Sequence, residues 1–128
     1  MPLLLVEDNG LAARTMIRQI ERLGYETPHH AESAEQALDM LRKTTYSGVL
    51  LDWMLPGMSG VELLRFMRGS RRYADTPILM ITGKQKREDV MEAVRAGATD
   101  YVAKPVPLDL LEEKLRDLVP ALAPGKVE

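Results

Sequence analysis

The feature that most constrains this chain is a regular alternation of short apolar runs with segments of helical periodicity. Apolar runs of strand length begin at Leu3, Val49 and Pro77, and weaker extended stretches begin at Tyr25 and Tyr101. Each is followed by a segment whose apolar residues recur every three or four positions, which lays one apolar stripe along a helix. Strand–helix units repeated in this order favour right-handed crossovers and a mostly parallel sheet covered by helices on both faces.

The composition of the strands predicts their order in the sheet. The first, third and fourth are apolar throughout, as expected of strands buried on both faces. The second contains Pro28, which lacks an N–H for the ladder and is tolerated at an edge, and the fifth is short and lies between Asp100 and Lys104. With these two strands at the edges, the predicted order is 2-1-3-4-5, a doubly wound, flavodoxin-like α/β fold. We predict one domain over residues 1–120, with residues 121–128 as a flexible tail or the start of a linker.

Local signals place several helix ends. Gly24 and Gly97 follow helical segments and are expected to end them. Ser33 is expected to cap the second helix, with Gln36 in the capping-box position, and the third helix is expected to begin near Ser59.

Bulk properties exclude several functional classes. The chain has 128 residues and a formal net charge of −2, so it lacks the basic footprint of a nucleic-acid-binding domain. It contains no cysteine, which excludes disulfides, thiolate chemistry and cysteine-based zinc sites. No apolar run approaches bilayer length, and the start lacks a basic leader, so we expect neither a membrane span nor a signal peptide. A cytoplasmic location is therefore expected.

Polar side chains stand at the predicted carboxyl ends of the strands. In an open parallel sheet the functional crevice lies at these ends, where the winding direction reverses, here between strands one and three. The residues concerned are Glu7 and Asp8 after the first strand, Asp52 after the third, Thr82 at the end of the fourth and Lys104 after the fifth.

These residue types suit phosphoryl transfer. Three carboxylates at one rim repel each other unless a cation joins them, and Mg²⁺ prefers oxygen ligands. An aspartate such as Asp52 can act as the nucleophile that accepts a phosphoryl group. The Lys104 ammonium, the Thr82 hydroxyl and the Gly83 amide would supply donors for the phosphoryl oxygens. Each residue taken alone also fits a structural role, such as a helix cap or a turn, but the complete set favours the chemical interpretation.

The motifs LLLVEDN, LLDWMLPGMSG, ILMITG and GATDYVAKP, at their spacing, resemble those of response-regulator receiver domains of the chemotaxis-regulator kind. The resemblance covers residues 2 to about 120. It implies that Asp52 accepts a phosphoryl group from a phosphohistidine of a histidine kinase or phosphotransfer protein, or from a small donor. It also implies that Asp8 and Asp52 bind Mg²⁺ directly, with the Met54 carbonyl as a third ligand and Glu7 acting through water. The Lys104–Pro105 peptide is expected to be cis.

The resemblance further implies a switch. Thr82 would move to bond the phosphoryl group, Tyr101 would rotate inward, and the surface of the fourth helix, fifth strand and fifth helix would change. The partner would be a downstream effector protein or an attached output domain, with no direct binding of nucleic acid or membrane, and the chain would be a monomer or an activation-dependent dimer. The expected contact residues are Val90, Met91, Val94, Arg95 and Tyr101. Helical periodicity fits Val90 and Val94 equally well as core residues.

Two other functions compete with this one. A phosphohydrolase working through an aspartyl phosphate would place a second acid two residues after the nucleophile, where this chain has Met54. A pseudo-receiver would keep the fold without the chemistry, but the intact set of site residues argues against it. We therefore predict a non-enzymatic domain that assists only its own phosphorylation and dephosphorylation. Lys84 would either pair with the phosphoryl group or be solvated. His29 and His30 are expected to lie away from the acidic rim.

Overall fold

The computed structural model describes residues 1–124, in which five strands alternate with five α-helices. A 3-10 turn follows the fifth helix. The elements are β1 (Leu3–Val6), α1 (Gly10–Arg22), β2 (His29–Ala31), α2 (Ala34–Lys43), β3 (Gly48–Leu51), α3 (Gly60–Arg68), β4 (Ile78–Thr82), α4 (Arg87–Ala96), β5 (Asp100–Ala103), α5 (Leu108–Leu118) and the 3-10 turn Pro120–Leu122.

The strands form one parallel sheet in the order β2-β1-β3-β4-β5, which confirms the predicted fold. The register aligns Val6 with Leu51 and Leu51 with Met80, so the carboxyl ends of the three central strands lie close to one level. All residues of β1, β3 and β4 are buried. The winding direction reverses between β1 and β3, which makes this edge the expected crevice.

Alternate side chains of each strand enter two separate cores, because successive residues point to opposite faces of a sheet. Leu51 belongs to the core covered by α2, α3 and α4. Leu50 belongs to the core covered by α1 and α5. Both leucines have no exposed surface, so the sheet is sealed on each side. No helix within residues 1–124 is long and apolar enough to cross a membrane.

The second strand is shorter than the stretch from Tyr25 to His30 that the sequence suggested. It begins at His29, directly after Pro28, and ends at Ala31. Tyr25, at the start of the expected stretch, belongs instead to the end of α1, since its amide donates to the Ile20 carbonyl oxygen at 3.2 Å. The proline therefore precedes the edge strand instead of lying within it.

The predicted helix ends are largely as observed. Gly97 closes α4 with a φ of 107°, a left-handed conformation that glycine adopts without strain. Ser33 accepts from the Gln36 amide at 3.0 Å, but the Gln36 side chain accepts from the Glu32 amide instead of completing a box with Ser33. The 3-10 turn Pro120–Leu122 spans the predicted boundary between the domain (1–120) and the tail (121–128). Residues 125–128 of the predicted tail lie outside the described residues.

Candidate functional site

The central strands bury three polar side chains at one edge of the sheet. Glu7 follows β1 and is 4% exposed, Asp52 follows β3 and is 6% exposed, and Thr82 ends β4 with no exposed surface. Within residues 1–124 these are the polar or charged residues that are buried. Burying such groups costs free energy unless they find partners, so their clustering points to a site.

Lys104 is the cation that joins the acids. Its Nζ donates to Asp52 Oδ2 at 2.9 Å and to Glu7 Oε1. The backbone aims this side chain, because the Lys104 amide donates to the Thr82 carbonyl oxygen at 2.9 Å as β5 leaves the sheet. The Lys104–Pro105 peptide is cis, as expected from the resemblance.

The site shifts the pKa values of two of its members. Burial alone would lower the pKa of Lys104, but its hydrogen bonds to Glu7 and Asp52 and their charges outweigh burial and raise it. Lys104 therefore keeps its positive charge at neutral pH. Burial raises the pKa of Glu7, opposed by the Lys104 bond and by a bond from the Asn9 amide at 3.1 Å.

The acids fit a divalent cation. Glu7, Asp8 and Asp52 each offer a carboxylate oxygen, and these oxygens lie within 4.8 Å of one another. When all three are ionised, Lys104 neutralises one charge and two negative charges remain. A hard cation of charge two with oxygen preference, such as Mg²⁺, matches both the donor set and the residual charge. The exposure of Asp8 leaves the cluster open to solvent on one side.

The loop after β3 holds the Asp52 carboxylate from the other side. The Met54 amide donates to Asp52 Oδ1 at 3.1 Å, while the Met54 side chain is 59% exposed. The two carboxylate oxygens of Asp52 therefore have different partners, Lys104 on Oδ2 and Met54 on Oδ1. The metal roles of the Met54 carbonyl and of Glu7 through water stay predictions.

The β4–α4 loop brings the predicted phosphoryl donors and the predicted switch residue together. The buried Thr82 hydroxyl accepts from the Lys84 amide at 3.4 Å. A Cβ on Gly83 would meet nothing within 4 Å, so the space beside its Cα is open. The Tyr101 hydroxyl donates to the Lys84 carbonyl oxygen, and burial raises the pKa of Tyr101, which keeps that donor protonated. The movements of Thr82 and Tyr101 stay predictions.

The predicted partner surface lies on α4 and β5. Met91 is 44% exposed and Val94 is 62% exposed, so Val94 is not the core residue that its spacing also allowed. Arg95 is exposed, whereas Val90 and Tyr101 are half-buried. The role of these residues in binding a partner stays a prediction.

Sequence reasoning misplaced one residue near the site. His30 Nε2 lies 2.7 Å from the Glu7 carbonyl oxygen and donates to it, although the histidines were expected to lie far from the acidic rim. The parallel pairing of Leu5 with His30 brings this side chain to the carboxyl end of the sheet. The predicted strand order was enough to place His30 near Glu7, because β2 is the neighbour of β1.

A second arrangement could not be read from the sequence. The Lys84 Nζ lies 4.8 Å from the centre of the Trp53 ring and 3.8 Å from Asp89 Oδ1. These contacts join the loops after β3 and β4. Loop conformations of this kind have no periodic pattern in sequence.

Sequence comparisons agree with this geometry. The family model described as the response regulator receiver domain matches residues 3–116. The chemotaxis protein CheY of Pseudomonas aeruginosa is 34% identical over 118 residues, which cover 92% of this chain and 95% of the relative. A CheY homologue of Campylobacter jejuni is 36% identical over 120 residues, which cover 93% of this chain and 92% of the relative.

Solved structures of related proteins share this fold. A chemotaxis protein of Vibrio cholerae, CheY4, superposes with a TM-score of 0.83 at 27% identity, covering 91% of this chain and 97% of its own. The receiver domain of a Pseudomonas aeruginosa sensor histidine kinase superposes with a TM-score of 0.84 at 27% identity, covering 93% and 97%, and is described with magnesium in its active-site cleft. The acids, threonine and lysine at the strand ends, the strand order and the similarity along nearly the whole chain lead to one conclusion: the chain belongs to the response regulator receiver domain family of two-component signalling.

Proposed function

We propose that this protein is a phosphorylation-controlled switch in which Asp52 accepts a phosphoryl group from a phosphohistidine or a small phosphate donor. One observation supports the proposal most directly. Asp52 is almost fully buried, yet one carboxylate oxygen lies 2.9 Å from the Lys104 ammonium and shares a cluster with Glu7 and Asp8. A buried acid that is merely structural has no need of two further acids beside it, because each one raises the electrostatic cost.

The transfer step uses groups already in place. An Asp52 oxygen forms a bond to phosphorus while the bond from phosphorus to the donor's histidine nitrogen breaks, and the bonding electron pair stays on that nitrogen. Lys104 stands at the acceptor oxygen and balances charge on the incoming phosphoryl group. The Thr82 hydroxyl and the Gly83 amide are the proposed further donors. The positions of the attacking and leaving groups matter more than covalent assistance from the protein in such a transfer.

The proposed Mg²⁺ ligands are Asp8, Asp52 and the Met54 carbonyl, with Glu7 acting through water. Bound there, the ion supplies positive charge against the phosphoryl oxygens. The fit rests on the three converging carboxylates and the two negative charges that Lys104 leaves unbalanced.

The proposed output is a change in the surface formed by α4, β5 and α5. A phosphoryl group adds about −1.5 to −2 charges to the site. Thr82 and Tyr101 would respond, and a partner that binds one surface preferentially would shift the population toward it. A histidine kinase or phosphotransfer protein would act upstream, and an effector protein or attached output domain downstream. We further propose a cytoplasmic location and a monomer or activation-dependent dimer.

The test is phosphorylation by acetyl phosphate with Mg²⁺, read by intact mass and by Trp53 fluorescence. The wild type should gain one phosphoryl group, and Asp52→Asn should gain none while keeping its fold. Asp39→Asn is the matched control, since this exposed α2 residue undergoes the same chemical change and is not part of the acidic cluster.

Two results would contradict the proposal. A wild type that gains no phosphoryl group with Mg²⁺ would favour a pseudo-receiver. Steady turnover of a soluble phosphate ester would favour a phosphohydrolase, although Met54 occupies the position where such an enzyme needs an acid.

A further inference from the structure

Lys84, two residues beyond the end of β4, contacts the site in several ways. Its amide donates to Thr82 Oγ1 at 3.4 Å, and its carbonyl oxygen accepts from the Tyr101 hydroxyl. Its ammonium lies 4.8 Å from the centre of the Trp53 ring and 3.8 Å from Asp89 Oδ1. Asp89 lies in the first turn of α4. One residue therefore joins the strand ends to the helix of the proposed output surface.

The ammonium of Lys84 lies beside the mouth of the acidic cluster. Lys84 and Asp8 line the same open cleft, whose walls also include Trp53 and Met54. Among the described residues that line this cleft, Lys84 is the one cation. Lys104, the other cation of the site, is already engaged with both Glu7 and Asp52.

The ion pair between Lys84 and Asp89 is weak enough for Lys84 to exchange Asp89 for another anionic partner. At 3.8 Å it is long for a charge-assisted hydrogen bond, and the two side chains are 35% and 21% exposed. Partly exposed pairs of this kind contribute little, because solvent screens them. A phosphoryl group on Asp52 would present more negative charge to Lys84 than a single carboxylate does.

We propose that Lys84 is a positioning residue whose ammonium binds Asp89 before phosphorylation and the phosphoryl oxygens afterwards. The exchange releases the Asp89 carboxylate in the first turn of α4. That turn has no side-chain cap, since Lys86 at the N-cap position makes no such bond. A released carboxylate there interacts with unpaired amides, and the movement of Lys84 also reaches Tyr101 through its carbonyl. This inference rests on the proposed phosphorylation of Asp52.

The test is a double-mutant cycle on the initial rate of phosphorylation by acetyl phosphate. Lys84→Gln should lower the rate roughly two- to fivefold, and Asp89→Asn should raise it by a similar factor because Lys84 is freed for the anionic donor. In the Lys84→Gln background, Asp89→Asn should have no effect. Lys84→Arg should restore much of the rate, since it keeps the charge.

Lys86→Gln is the matched control, because it removes the same charge from an exposed residue of the same loop. It should leave the rate near that of the wild type. A second measurement follows the α4 terminus directly: amide hydrogen exchange of residues 87–90 should change on phosphorylation of the wild type and stay unchanged on phosphorylation of Lys84→Gln.

The outcomes separate this inference from the proposed function. If the wild type is phosphorylated but Asp89→Asn raises the rate equally with and without Lys84, the exchange is refuted and the switch stands. The same conclusion follows if Lys86→Gln lowers the rate as much as Lys84→Gln. If the wild type is not phosphorylated on Asp52, both proposals fail together.

Discussion

Two neighbouring helices on the same side of the sheet are held in very different ways. The helix α3 has a complete capping box, in which Ser59 and Glu62 exchange hydrogen bonds, and it buries five residues. The helix α4 lacks a side-chain cap and buries only Ala93. The two helices share an exposed and weak ion pair between Arg65 and Glu92 at 3.0 Å, and Arg68 of α3 donates to the Gly97 carbonyl oxygen at the end of α4 at 2.8 Å. The difference shows that α3 is anchored along its length, whereas the start of α4 has few buried contacts.

The two helices also adjoin different parts of the site. The start of α3 holds the backbone next to Asp52, the proposed acceptor, because the Gly60 amide donates to the Trp53 carbonyl oxygen at 2.9 Å. The start of α4 follows the loop of Lys84, whose contacts are long or partly exposed. The proposed switch needs a fixed acceptor and an element with two accessible arrangements. The firmly held α3 and the sparsely buried start of α4 fit these opposite needs.

The largest expected effect comes from Gly60→Ala at the start of α3. A Cβ at this position would lie 2.0 Å from the Asp52 carbonyl oxygen, a backbone atom that cannot rotate away. We expect a loss of about 3 kcal/mol or more in the free energy of unfolding, together with loss of phosphorylation, because Asp52 must shift. Urea unfolding measures the first effect and intact mass the second.

Gly69→Ala at the other end of α3 is the control for this variant. Its Cβ would lie 3.5 Å from the nearest backbone oxygen, an ordinary contact, and its φ of −82° suits alanine. The free energy of unfolding should stay within about 0.5 kcal/mol of the wild type. Equal losses in the two variants would show that α3 tolerates no added methyl group anywhere, and that the Asp52 contact is not special.

The second prediction compares one apolar residue from each helix. Met67 on α3 has no exposed surface, and Met67→Ala should lower the free energy of unfolding by about 2–4 kcal/mol through lost burial and a cavity. Val94 on α4 is 62% exposed, and Val94→Ala should change the free energy of unfolding by less than about 0.5 kcal/mol. Urea unfolding of both variants checks the contrast. A loss of more than about 1.5 kcal/mol in the free energy of unfolding for Val94→Ala would show that α4 is packed as firmly as α3.

The anchored part of the molecule is also the part that sequence predicts best. The apolar runs of β1, β3 and β4 and the proline before β2 were enough for the strand order. Because parallel strands end at one edge, the order then placed Glu7, Asp52 and Thr82 together. Residue type and strand position determine such features, and both are visible in a single sequence.

The loops and the helix α4 were less predictable. The contacts of Lys84 with Trp53 and Asp89 depend on loop backbone and on a flexible side chain, neither of which leaves a periodic signal. Helical periodicity left Val94 equally suited to the core and to the surface, because α4 buries too little to fix its orientation. His30, by contrast, was misplaced although the predicted order already put β2 beside β1, which brings His30 to the carboxyl end of the sheet.

The smallest predicted effect concerns the helix caps and bears directly on the contrast between α3 and α4. Lys86→Ser at the N-cap of α4 should raise the free energy of unfolding by about 0.5–1 kcal/mol, because a hydroxyl can accept from amides that lack a side-chain partner. Ser59→Ala at the N-cap of α3 should lower it by about 1 kcal/mol, since it removes a bond to the Glu62 amide at 3.2 Å. Amide hydrogen exchange of residues 87–90 should slow in Lys86→Ser, because a capped first turn opens less often. Unchanged exchange despite a gain in stability would show that the missing cap does not control this opening, and would point to the sparse burial of the helix, in which Ala93 is the one buried residue.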